Sequence, residues 1–369
     1  MTLNVGVTIL YMLILPLVIF ASILFPYHLI LAHEAYVLPY DTFWSQIKQP
    51  LSSHAFDALK DPGNVHLTIL IVLFVLFFLT LNFLFRRSNL GQKLATKIEK
   101  LAHFGPHFVR IAIASAFFFS AYTGTFLGPE IHGSLFPYPV ILQASLYIIS
   151  FMILIGFMTE LTALIGIIIF LSSFVIFGSY IFTYLNYFGE LVVLLLFGMR
   201  VFSIDKYLFG PLRRFQHFEK YETVIIRIFY GLALVYAAIT VKLLHPGLTT
   251  EVVTTWNLTN FHWLFPSDPL LVTLGAGIVE TVIGLFIIFG FEMRLTVLVS
   301  LFYITLSLLY FRELVWPHLL LYGISFNLLV QPEVFTIDHI LFKHHRATKS
   351  WWKRIFAPHT KHGKSNDPK

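Results

Sequence analysis

The chain has 369 residues, of which 57% are apolar and only 12% charged, with a formal charge of +6 and a mean hydropathy of +0.79. Soluble proteins carry about 45–50% apolar and about 25% charged residues, so charge this sparse cannot cover a water-facing surface. The absence of cysteine excludes disulfide scaffolds, thiol redox pairs, Cys-ligated zinc and Cys-ligated iron–sulfur clusters.

A hydrocarbon core about 30 Å thick needs about 20 apolar residues in a helix. Ten segments suit that requirement: 5–27, 67–85, 110–127, 139–158, 161–181, 184–200, 224–243, 270–290, 295–312 and 315–331. The first lacks the basic leader and small-residue cleavage site of a secretory signal and reads as a retained helix. Residues 32–66, with Pro39, Pro50 and Pro62 and little apolar periodicity, read as a long connection on the outer side. Leu90, Leu94, Ile98 and Leu101 recur at helical spacing among basic residues, so 88–107 reads as an amphipathic segment lying along the inner interface. From 343 to 369 the chain is a basic, polar tail with Trp351 and Trp352 as interface anchors.

Basic residues resist translocation. With the N-terminus cytoplasmic, 21 of the 25 Lys and Arg fall on the inner side, and only Lys48, Lys60, Lys242 and Arg312 on the outer. Acids divide nine and nine, with Glu280 alone left at mid-membrane. The expected topology is ten spans with both termini cytoplasmic, in a prokaryotic cytoplasmic membrane. Anionic lipid on the inner face accounts for the basic charge, so no nucleic-acid partner is expected.

The chain also repeats itself. Val201-Phe-Ser-Ile-Asp-Lys-Tyr-Leu-Phe209 matches Val334-Phe-Thr-Ile-Asp-His-Ile-Leu-Phe342, and Ile155-Gly-Phe-Met-Thr-Glu-Leu-Thr162 matches Phe289-Gly-Phe-Glu-Met-Arg-Leu-Thr296. Arg110 precedes Pro129, and Arg227 precedes Pro246, by the same spacing. The expected fold class is therefore all-α, a polytopic transmembrane helical bundle. It holds an N-terminal two-helix segment (1–87), the amphipathic segment, two parallel four-helix repeats (108–209 and 224–342) and the tail. Parallel repeats of even span number are related by an axis along the membrane normal.

In the second repeat, Arg227-Ile-Phe-Tyr-Gly231, Ala237-Ala238, Lys242 and Pro246 are followed by Gly277-Ile-Val-Glu280-Thr-Val-Ile-Gly284, Gly290 and Arg294. This pattern resembles the DoxX/DoxD-like four-helix membrane family over residues 224–331, and the first repeat resembles it more weakly. The resemblance implies a subunit or accessory of a quinone-linked redox complex, of the kind that includes a thiosulfate:quinone oxidoreductase. It implies no cofactor of the chain's own, quinone as a candidate ligand and a peripheral redox protein as a candidate partner. The first repeat departs from the pattern, with Leu146 at the place of Glu280, Thr125 at that of Lys242 and Glu160 at that of Arg294.

Glu280 is the candidate proton carrier, because an ionisable group at mid-span must pair or line a cavity; a protonated Glu bonded between helices is the plainer reading. Lys242, Arg227 and Arg294 are candidate ligand-binding residues. Snorkelling is the plainer reading of Lys242, and inner-edge anchoring or pairs with Glu222 and Glu292 explain the two arginines. Arg227 and Lys242 lie about 22 Å apart along a helix and cannot share a site. None of the sixteen His falls mid-span, and no zinc or haem spacing is present, so no metal is expected. A small-solute or proton transporter, and a non-catalytic membrane scaffold, are the alternative functions.

Overall fold

The structure is a computed structural model that describes residues 38–198, 203–208, 220–260, 265–311, 313–331 and 334–341. The expected first span, 5–27, and the tail from 343 lie outside the described residues.

The described chain is all-α apart from one short hairpin. Helix α1 (Tyr40–Ile47) and a 3-10 turn (His54–Lys60) lead into α2 (Pro62–Arg87), α3 (Asn89–Glu99) and α4 (Gly105–Thr123). After the hairpin β1 (Thr125–Phe126) and β2 (Gly128–His132) come α5 (Pro139–Ile155), α6 (Thr159–Phe177), a 3-10 stretch (Gly178–Tyr184), α7 (Leu185–Phe197) and α8 (Ile204–Leu208). Then follow α9 (Glu222–Ala237), continued by a π-helical turn (Ala238–Leu243), α10 (Pro246–Thr255), α11 (Pro269–Phe289), α12 (Met293–Tyr310), a 3-10 turn (Trp316–His318) and α13 (Leu319–Val330).

Six helical runs among the described residues are long and apolar enough to cross a membrane: Pro62–Arg87, Asn89–Thr123, Thr159–Phe197, Glu222–Leu243, Pro269–Phe289 and Met293–Tyr310. Pro139–Ile155 and Trp316–Val330 are apolar but shorter. The Thr159–Phe197 run breaks at the 3-10 stretch after Gly178, and α6 packs against α7. Helix α2 shows the solvent most plainly. It is capped at Asp61, whose Oδ1 accepts from Gly63 N, and ends in Arg86-Arg87, yet it buries none of its residues. A helix this apolar and this little covered is of the length and composition that cross a membrane.

The central packing joins the two halves of the chain. Helix α4 lies against α13, and α7 against α9. Glycine permits both approaches: a Cβ on Gly323 would meet the Ala112 Cβ at 2.6 Å, and one on Gly189 would overlap Phe229. Arg86, Arg110, Arg227 and Arg294 mark one end of the bundle, the basic end. At the opposite, capped end, Phe43 of α1 is fully buried with Val241, Leu248 and Val252, and Ala55 and Ala58 pack on Leu271 and Leu274.

That cap corrects the reading of 32–66. From Leu38 onward it holds a helix and a 3-10 turn seated on the bundle; the prolines that weakened its periodicity start or border those elements. Helix α10 and the hairpin at 125–132 were likewise unforeseen, being short pieces between longer apolar runs. Trp316, at the start of the last 3-10 turn, is buried, 5% exposed.

Candidate functional site

The two helices that carry Lys242 and Glu280 meet through glycine. A Cβ on Gly231 of α9 would lie 2.6 Å from the Gly284 carbonyl, and one on Gly284 of α11 would lie 2.8 Å from the Gly231 carbonyl. Farther toward the capped end, a Cβ on Gly277 would lie 3.3 Å from the Lys242 Cβ. Small residues at such crossings let backbones approach where side chains would hold them apart. The π turn over Ala238–Leu243 adds a residue to the helix at this level, a feature common at functional sites. Lys242 consequently turns into the bundle, and its Nζ lies 3.1 Å from Glu280 Oε1. It does not run out to the surface, so the snorkelling reading is corrected: its side chain is 7% exposed and that of Glu280 10%.

Each charge alone would cost about 2.5–3.5 kcal/mol at a helix centre in lipid. Paired, they are neutral as a unit, and the second carboxylate oxygen decides what the pair can do. Glu280 Oε2 is buried and has no hydrogen-bond partner. Glu280 lines a cavity of about 60 Å³ between the two halves of the chain, together with Tyr230, Tyr184, Asn186 and His318. The Tyr230 hydroxyl lies 3.3 Å from Ser300 Oγ and 3.2 Å from Ser325 Oγ. At the capped-end rim, His318 Nε2 lies 2.7 Å from Glu313 Oε2.

Arg227 and Arg294 lie elsewhere. Arg227 donates to the carbonyls of Val334, at 3.4 Å, and Phe335, at 2.8 Å, and Arg294 reaches Glu99 Oε1 at 2.8 Å. Glu292, the partner expected for Arg294, is held by Asn82 and by Arg86 Nη1 at 3.3 Å. Burial raises the Glu292 carboxyl above its ordinary value; Arg86 opposes that shift and Asp338 adds to it. The four candidate residues therefore divide between a buried pair toward the capped end and two arginines holding the basic end together.

Two turns at the basic end are built alike. Gly156 ends α5 at φ 68° and Gly290 ends α11 at φ 65°, left-handed caps that glycine adopts without strain. Two residues later Met158 (φ 47°) and Glu292 (φ 45°) are also left-handed. Asp205 accepts from the amides of Met158 at 2.6 Å and Thr159 at 2.9 Å; Asp338 accepts from those of Glu292 at 2.8 Å and Met293 at 3.0 Å.

Sequence reading singled out Glu280 as the lone acid at mid-membrane, but it is not the lone buried one. Glu130, Glu190 and Glu313 are also buried, with Glu130 accepting from the Tyr180 and Tyr184 hydroxyls. The cavity wall was missed, although Tyr230, Ala233, Ala237 and Val241 recur at helical spacing on one face of α9 and its continuation. Among the described residues, no group of three or more His, Asp or Glu converges as a metal ligand set. Comparison with protein families, curated proteins and solved structures finds no match to this chain.

Proposed function

We propose that the chain is an integral membrane protein of about ten spans whose second four-helix unit uses Glu280 as a proton carrier, serving as the membrane-embedded part of a quinone-linked redox complex. The carrying observation is the buried Lys242–Glu280 pair in a cavity wall, with the second carboxylate oxygen left without a hydrogen-bond partner. The redox part of the reading comes from the DoxX/DoxD-like pattern at 224–331. It supplies quinone as ligand and a peripheral redox protein as partner, with no cofactor in the chain. The orientation, with both termini on the cytoplasmic side of a prokaryotic membrane, comes from the basic residues.

The two-unit organisation, 108–209 and 224–342, is supported by the paired turns at Gly156 and Gly290 and by the central contacts. Gly189 and Gly323 are separated by the same offset as Gly156 and Gly290. Ala112 and Phe229, which they meet, are separated by that of Arg110 and Arg227. Reciprocal contacts of this kind are what an axis along the membrane normal would produce.

The test is quinone reduction in membranes holding the protein and its redox partner. Glu280→Gln keeps the side chain's volume and removes the proton-carrying group, and proton transfer by a positioned group contributes about 10²–10⁴-fold. A loss of at least tenfold is expected, and unchanged quinone reduction removes the reading. One observation favours proton conduction without a redox partner. The cavity's 60 Å³ is well below the roughly 150 Å³ that admits benzene, so it suits water and not a quinone ring. In the redox reading the ring binds elsewhere on the second unit and the cavity supplies protons. Proton flux into liposomes holding the chain alone, abolished by Glu280→Gln, selects the transporter reading instead.

A further inference from the structure

The cavity joins Glu280 to a second ionisable pair. His318 Nδ1 lies 3.0 Å from the Leu314 carbonyl, a contact only an N–H can satisfy, so that nitrogen carries a proton. Nε2 lies 2.7 Å from Glu313 Oε2, close enough for an ion pair when the imidazole is protonated. Glu313 Oε1 accepts from the Ser307 hydroxyl at 2.5 Å, which fixes the carboxylate's orientation. His318 is itself a wall of the cavity onto which Glu280 opens.

A cavity walled by a carboxylate, an imidazole, an amide and tyrosines is not one that stays dry. One water needs about 10–15 Å³, so this space holds about four. On the capped side α1 seals it: the rings of Phe43 and Trp44 pack on Tyr180, at 5.5 Å and 5.1 Å between centroids, and Phe43 packs on Val241. Tyr180 and Val241 are both cavity residues.

We infer that this cavity holds a cluster of ordered waters that links Glu280 to the His318–Glu313 pair, which makes that pair a second proton-holding station. The inference rests on the reading of Glu280 as a proton carrier and adds the station with which it exchanges. The other titratable groups facing Glu280 are Lys242 on the π turn, Tyr230 on α9, and Tyr180, Tyr184 and Tyr187 across the cavity.

Infrared difference spectra of the full chain in lipid nanodiscs, recorded between acid and neutral pH, test the link. A carboxyl band that vanishes in Glu280→Gln identifies the group. In the wild type, water O–H bands that shift in heavy-oxygen water and vanish with Glu280→Gln are expected. Ala237→Leu, which fills the cavity, should abolish those bands, and His318→Gln should shift the Glu280 carboxyl band. Absence of heavy-oxygen-sensitive bands in the wild type overturns the inference, and that measurement requires no variant to fold. A Glu280 band indifferent to both His318→Gln and Ala237→Leu overturns it as well. Quinone reduction is read separately, so the water link can stand while the redox reading fails, and the reverse.

Discussion

The turn that joins α5 to α6 and the turn that joins α11 to α12 solve one backbone problem by one means. A left-handed glycine ends the first helix, and an aspartate from a distant segment caps the second. They differ in what is added. Asp205 gives both oxygens to its own turn, and Met158 beside it is exposed. Asp338 also binds Arg86 Nη1 at 2.7 Å, and Glu292, at the place of Met158, is buried against Arg86 and Asn82. The same contrast runs along the helices that enter these turns, where α5 buries Leu146 and α11 buries Glu280. Two helical hairpins can thus be closed without these extra charges, and each extra charge is costly unless partnered. A feature that one unit has and the other folds without is where function is best sought.

The largest effect should come from taking the two aspartates out one at a time. Asp338→Ala leaves Arg86 with Glu292 and uncaps α12, and removal of one partner from a buried charge cluster costs about 3–5 kcal/mol. Asp205→Ala removes a cap alone, about 1–2 kcal/mol. Denaturant unfolding in mixed micelles compares them. Equal losses for the two aspartates would show that Arg86 contributes nothing. Next in size is Leu146→Glu, which places an unpaired carboxylate in the first unit at a cost of about 2.5–3.5 kcal/mol. A Leu146→Glu that leaves the unfolding curve unchanged would break the contrast between the two hairpins. Smaller again is Gly277→Ala, whose Cβ crowds Leu243 Cδ2 at 2.5 Å and Lys242 at 3.3 Å. It should cost about 1–3 kcal/mol by overpacking and slow whatever reaction Glu280 supports.

How much of this was legible depends on the range of the interaction. Long apolar runs and their glycine ends are local properties, so α4 to α7, α9 and α11 to α13 were readable within a few residues. Glu280 was readable because a carboxylate amid apolar residues is conspicuous without knowing its surroundings. Its pairing with Lys242 was not, since it depends on a π turn and on where α9 crosses α11. Burial of Glu190 or Glu313 was equally hidden: a residue near a helix end reads as interfacial until a neighbour covers it. The cap at 38–60 was lost because its helix is only eight residues long, too short for periodicity to stand out.

The smallest predicted effect isolates Glu292 itself. Burial is the leading cause that lifts its carboxyl, with Arg86 pulling the other way, and the folded value stays above the ordinary 4.5. A carboxyl raised in the folded state favours folding most fully below the unfolded value. That contribution is lost as pH rises through the folded value. Wild-type stability should therefore decline, relative to Glu292→Gln, as the pH climbs above about 4.5. Gln retains an oxygen for Asn82 and gives up only the charge toward Arg86, so the difference between the two unfolding curves should widen with pH and then level. No such difference should accompany Met158→Gln in the first unit, where no carboxylate stands at that place. A wild-type and Glu292→Gln difference that is flat across this range would mean Arg86 already neutralises the turn. The two turns would then be energetically alike despite their different charges.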